Sequence, residues 1–259
     1  MTFLRNILII FVVIYLIILA LLYIFQRKVL YIPPPVYLTP AAVELAQAQE
    51  TAQGWWIAPR DDTKPVIMFF HGNGSAVFSN HDIYRDFAAR GYGVYASGYP
   101  GYPGYAGKTT QTSVVEAARA GYSYVRGQGI DENRIVFYGT SLGAGVAAQL
   151  TTHHKPAALI LEAPFYSAAD MAQMRFPIFP ARALTKDKFD SAAALAGRDV
   201  PILWLHGTID SVIPMAEGQR LYDSYTGPKS KLIILGGRHT NLWAMGADDA
   251  IFDAINNIR

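Results

Sequence analysis

The stretch Ile135–Tyr138 followed at once by Gly139-Thr140-Ser141-Leu142-Gly143 leaves this chain few choices. A short apolar run, a Gly-x-Ser-x-Gly turn and the thin sequence Ala144-Gly145-Val146-Ala147-Ala148 read as strand, tight turn and helix in immediate succession. A turn this sharp holds its central residue in a strained backbone conformation. Glycine is needed on each side, because a side chain there meets the neighbouring strand or the helix. The serine hydroxyl is then lifted above the strand end, facing the free N–H groups and positive dipole end of the helix. Ser141 is the candidate nucleophile.

The surrounding sequence supplies the sheet that such a turn requires. Val66–Phe70, Val94–Ala96, Leu159–Leu161, Ile202–Leu205 and Leu232–Leu235 are further short apolar runs, as expected of strands buried on both faces. Between them lie stretches with helical spacing at His81–Arg90, Thr110–Arg126, Leu142–His153, Met215–Tyr225 and Asn241–Ile258. The alternation predicts an α/β fold with a mostly parallel sheet and helices on both faces. Thr51–Ala58 is expected to pair with an earlier segment as antiparallel edge strands. Pro164–Leu195, rich in Phe, Met and Pro, breaks the rhythm and reads as a cap inserted over the site.

A serine hydroxyl needs a general base, and the base needs an orienting acid. In strand–turn–helix serine enzymes the chain order is Ser, then Asp or Glu, then His. His71 and His81 precede Ser141, His153 and His154 end the helix that follows it, and His206 comes before the best acid. His239, just after the last strand and Gly236-Gly237-Arg238, remains as the base. Asp210, directly after Ile202–Leu205 and a Gly turn, is the favoured acid, with Glu162 at another strand end as runner-up. Two fixed N–H donors are needed for the oxyanion. Leu142, next after the serine, supplies one, and Asn73 in His71-Gly72-Asn73-Gly74 supplies the other.

From Ile7 to Phe25 no charge interrupts an apolar run about as long as a bilayer-crossing helix needs. A cleaved signal peptide has a shorter apolar core and a small-residue cleavage site; here Gln26-Arg27-Lys28 follows. Residues 1–28 are therefore expected to be a single-span membrane anchor and 29–259 the globular domain, with the cap at about 164–195. Arg5 before the span and Arg27-Lys28 after it leave its orientation open. Tyr31-Ile-Pro-Pro-Pro-Val36 is expected to be a stiff spacer between anchor and domain or an edge leading into the first strand.

Other chemistries find little support. The chain has no cysteine, which excludes disulfides, a thiol nucleophile and thiolate metal sites. A net charge of +2 with dispersed Lys and Arg excludes a nucleic-acid patch. No H-E-x-x-H or comparable cluster is present, so neither metal nor cofactor is expected. Gly101–Thr109 (GYPGYAGKT) approaches a phosphate-binding loop, but the required spacing falls on Tyr102 and Pro103 removes a donor.

Taken in order, His71-Gly-Asn-Gly, Tyr99-Pro-Gly-Tyr, Arg134-Ile-Val-Phe-Tyr-Gly-Thr-Ser-Leu-Gly-Ala-Gly-Val-Ala, Glu162-Ala-Pro-Phe, Lys188-Phe-Asp-Ser and His206-Gly-x-x-Asp-x-x-Ile-Pro resemble the bud-emergence-type branch of the α/β-hydrolases. The likeness runs from about Tyr31 to Trp243. It implies the α/β-hydrolase fold, a Ser141–Asp210–His239 triad, and Asn73 and Leu142 as oxyanion donors. Where that branch commonly has an acidic residue before Tyr-x-Gly-Tyr, this chain has Gly98. The expected activity is hydrolysis of a carboxylic ester or thioester in a small molecule, a lipid or an acylated protein, at a membrane. Phe165, Tyr166, Met171, Met174 and Phe176 are expected either on the acyl side of the pocket or as plain core residues. A peptidase of the same fold and a non-catalytic tethered scaffold are the alternatives.

Overall fold

A computed structural model of the chain describes residues 1–257. It opens with one long helix, α1 (Thr2–Leu30), which no charge breaks between Asn6 and Gln26. Among the described residues α1 is the one helix long and apolar enough to cross a membrane, and none of its residues is buried by the rest of the chain. It stops at Tyr31, whose backbone is extended and whose N–H still donates to Arg27 O, just before the Pro33–Pro35 run.

The remainder is an α/β-hydrolase fold around an eight-stranded sheet. In chain order the elements are β1 (Gln49–Thr51), β2 (Gly54–Ile57), β3 (Val66–Phe70), α2 (His81–Ala89), β4 (Gly93–Ser97), α3 (Gln111–Gly127), β5 (Ile135–Thr140), α4 (Leu142–Leu150), β6 (Ala158–Glu162), α5 (Ala168–Arg175), α6 (Ala181–Leu184), α7 (Ser191–Leu195), β7 (Ile202–Gly207), α8 (Met215–Ser224), β8 (Lys229–Ile234) and α9 (Ala247–Asn256). The strand order is β1-β2-β4-β3-β5-β6-β7-β8, antiparallel at β1–β2–β4 and parallel throughout the rest. Strands β3 to β7 are buried almost end to end, which explains their unbroken apolar runs. Two cores result, one on each face of the sheet: one centred on Phe70, Phe137 and Trp204, the other on Phe69, Tyr138 and Phe87.

Several boundaries differ from the sequence reading. The expected Thr51–Ala58 edge is a hairpin whose first strand ends at Thr51 and whose second starts at Gly54. The last strand begins at Lys229 and stops at Ile234, leaving Leu235 exposed. As an edge strand it tolerates Lys229 and Lys231, and those charges discourage further strand pairing. The helix after the serine ends at Leu150, where Thr151 turns its hydroxyl back to Ala148 O. The expected Asn241–Ile258 helix is divided by left-handed Gly246 into a short turn at Trp243–Met245 and α9; Ile258 lies outside the described residues. The segment between β6 and β7, expected as a cap, carries the three short helices α5, α6 and α7.

Candidate active site

The turn from β5 to α4 is built as its glycines demand. Ser141 has φ 54° and ψ −116°, a region L-residues rarely occupy. A Cβ on Gly139 would strike the Gly143 carbonyl, and one on Gly143 would strike the carbonyl of Phe70 on the adjacent strand. The strain is held by the sheet: the Ser141 N–H donates to Glu162 O at 2.9 Å.

Two loops at the carboxyl ends of β7 and β8 meet this serine. They are joined to each other by backbone bonds, Thr208 N–H to Ile234 O (3.1 Å) and Ile209 N–H to Gly237 O (3.0 Å). The result is a continuous relay. Ser141 Oγ lies 2.9 Å from His239 Nε2, and His239 Nδ1–H donates to Asp210 Oδ2 at 2.7 Å. The other Asp210 oxygen accepts from Val212 N–H (2.8 Å) and Ile213 N–H (2.9 Å). Burial alone would raise the Asp210 carboxyl. The hydrogen bonds from His206, His239 and the Ile213 backbone outweigh it and hold the group well below the ordinary carboxylate range. Glu162, the other acid considered, accepts from the buried Tyr138 hydroxyl instead, and burial raises its carboxyl above the usual value.

The expected oxyanion donors flank Ser141. Leu142 is the first residue of α4, so its N–H has no partner within the helix. Neither that N–H nor the Asn73 N–H has an acceptor among the described residues. The Asn73 side chain is engaged elsewhere. Its Nδ2 donates to Leu30 O (2.5 Å) and its Oδ1 accepts from Ile32 N–H (2.8 Å). The loop holding the donor is thus tied to the end of α1.

Sequence reasoning passed over three supporting residues. His206 was set aside for its position in the chain, yet it lies wholly buried under the acid. Its Nε2–H donates to Ile213 O at 2.9 Å and sits 3.4 Å from Asp210 Oδ2. Tyr99 stacks on the His71 ring and donates to His71 O (2.9 Å), and Tyr102 donates to Asn73 Oδ1 (2.9 Å). The Tyr-Pro-Gly-Tyr run therefore braces the His71–Gly74 loop; its membership of the family pattern was the available signal. At Gly98 the ring of Tyr105 occupies the space a side chain would need. Burial lowers His71 to about 4, partly opposed by its bond to Gly72 O, so the ring is neutral near pH 7.

Ser141 opens into a cavity of about 510 Å³, a size typical of small-molecule sites. One wall is α1, through Leu19, Leu22, Gln26 and Leu30; the opposite wall is Phe165, Met171, Phe176, Phe179 and Leu184. Of the residues expected on the acyl side, Phe165, Met171 and Phe176 line the cavity. Tyr166 and Met174 do not: the Tyr166 ring is covered by the Arg220 guanidinium, and Met174 faces outward on α5.

Comparison with known proteins agrees with the fold. The family model described as Serine aminopeptidase, S33, matches residues 61–192. The uncharacterised protein Rv2307c of Mycobacterium tuberculosis is 26% identical over 83% of this chain and 81% of its own length. The lysophosphatidylserine lipase ABHD12 of Danio rerio is 27% identical over 75% of this chain and 56% of its own. Among solved structures, the Pyrococcus furiosus esterase PF2001 superposes with a TM-score of 0.68 at 17% identity, covering 87% of this chain and 97% of that one.

Proposed function

The chain belongs to the Serine aminopeptidase, S33, family of α/β-hydrolases, an esterase- and lipase-like serine hydrolase, and from that premise we propose that it is a membrane-anchored enzyme cleaving acyl esters or thioesters of lipid or acylated substrates. The observation that carries this reading is the Ser141–His239–Asp210 relay opening into an apolar cavity walled by α1.

In the proposed mechanism His239 Nε2 takes the Ser141 proton as Oγ attacks the acyl carbonyl. Asp210 holds the imidazole in the correct tautomer and stabilises its charged form. The Leu142 and Asn73 N–H groups bind the oxyanion, the leaving alcohol or thiol takes the proton from His239, and the acyl group stays on Ser141. A water deprotonated by His239 then attacks the acyl carbonyl, and His239 returns that proton to Ser141 Oγ as the acid leaves. The finer placement in the bud-emergence-type branch rests on the ordered motifs from His71 to Pro214.

The family's description makes an aminopeptidase the second reading. Recognition of a free substrate amine calls for an available carboxylate. The one carboxylate among the described lining residues is Asp187, and it is already paired with Arg27 at 2.8 Å. Side-by-side kcat/KM values on p-nitrophenyl esters from acetate to palmitate and on aminoacyl p-nitroanilides separate the two. Ester turnover without measurable turnover of the aminoacyl amides supports the esterase; amide turnover that is lost when the substrate amine is acetylated makes it a peptidase.

A further inference from the structure

The contact between α1 and the cap lies far along the membrane helix. Tyr15 stacks on Phe179 with ring centroids 4.9 Å apart, and its hydroxyl donates to Ile178 O at 3.2 Å. Tyr15 is roughly 15 Å along the axis from Phe25 at ~1.5 Å per residue, half the ~30 Å of a hydrocarbon core. Nearer the other end, Gln26 accepts from Lys186 N–H (2.7 Å), Lys186 Nζ lies over the Tyr23 ring (4.0 Å), and Arg27 pairs with buried Asp187. These polar contacts define a headgroup-level layer. The Phe176-Pro177-Ile178-Phe179 turn lies beyond it, on the hydrocarbon side.

The chemistry of that turn fits the position. Ile178 is 73% exposed and Met174 45%, a cost in water for a cap tip with no role there. Arg175 and Arg182 flank the apolar tip, as cations do where a segment dips below lipid phosphates. Backbone groups at that depth need internal partners. Ile178 O has Tyr15, and Pro177 O and Phe179 O both accept from Gln173 Nε2 (3.4 and 3.0 Å).

Resting on the membrane-anchored reading above, we propose that the 176–179 turn is a second membrane-inserted element. It lies in the leaflet against α1, so that the cavity between them opens to lipid and draws a single acyl chain from the bilayer to Ser141. The cavity lining between Leu19 and Phe179 at one end and Leu142 at the other is mostly apolar, with Gln26 and the paired Arg27 and Asp187 as polar members beside the route such a chain takes. Three ties keep α1 in register with the site: the Tyr15 contact, the Arg27–Asp187 pair and the Asn73 clamp on Leu30 and Ile32.

Because the chain has no cysteine, single-cysteine spin labels report depth cleanly. Full-length Ile178→Cys, Leu16→Cys and Asp62→Cys proteins, labelled and placed in phosphatidylcholine nanodiscs, are compared for collision with oxygen and with a water-soluble nickel chelate. The expected result is that position 178 resembles 16, oxygen-rich and shielded from nickel, and differs from solvent-exposed 62. A label at 178 as open to nickel as that at 62, with 16 shielded, overturns the insertion alone. Nickel access at both 16 and 178 overturns the anchor reading and the insertion with it. In parallel, Ile178→Asp is expected to slow hydrolysis of a palmitoyl lysophospholipid in vesicles about tenfold. Butyrate ester turnover in detergent and fluorophosphonate labelling should stay unchanged. Equal loss on both substrates, or none on either, counts against the bilayer route.

Discussion

Asp210 is fixed from three directions, by the Val212 and Ile213 N–H groups, by His239 and by His206 beneath it. In the proposed mechanism it orients and stabilises an imidazolium, which an amide does poorly. Asp210→Asn is therefore expected to lower kcat about 10⁴-fold with a small change in KM, checked by steady-state ester hydrolysis. His71 carries a second residue-level consequence. Its folded pKa, about 4, lies below the unfolded value of about 6.5, so between those pH values the unfolded chain binds the proton more tightly. Its contribution is complete above pH ~6.5 and is lost as pH falls toward 4, by about 3 kcal/mol. Unfolding of the protein and of His71→Gln, followed across that range, should show a shallower acid slope in the variant; parallel slopes would remove His71 as the cause. The elbow was legible because glycine spacing is local. The bracing by Tyr99 and Tyr102 was not, since those side chains reach back about 30 residues to the loop they hold.

At the scale of elements, the approach of α4 to β3 and β5 allows no side chain at Gly139 or Gly143. Gly143→Ala is expected to destabilise by about 3 kcal/mol or more, because the clash is with a strand carbonyl that cannot move aside. Gly127→Ala, at the end of α3 with nothing within 4 Å, is the control and should be neutral or stabilising by about 0.5 kcal/mol. Thermal unfolding in detergent separates them. Element type was readable wherever an apolar run was buried on both faces, as in β3, β5 and β7. Boundaries slipped where a feature outside that pattern decided them, at the β8 edge lysines and at left-handed Gly246.

Across the whole molecule, the N-terminal apolar helix α1 and the hydrolase domain meet around the cavity above Ser141. The sequence led to the expectation of an anchor and a domain; it held no sign that Arg27 reaches Asp187, 160 residues away, because a charged residue after an apolar span reads equally well as a flanking charge. Asp187 is almost fully buried and Arg27 is half exposed, so losing the pair is expected to cost about 1–2 kcal/mol after discounting for solvent. Arg27→Gln should lower the unfolding temperature, and adding Asp187→Asn should restore part of the loss; additive losses would mean the pair contributes nothing as a pair. The most direct test of Ser141 as the nucleophile takes the intact full-length protein. Exposed to a fluorophosphonate and then measured by intact mass and peptide mapping, the protein should carry one adduct, on Ser141, and both adduct and ester turnover should vanish in Ser141→Ala. An adduct elsewhere, or turnover that survives Ser141→Ala in a folded protein, contradicts that assignment.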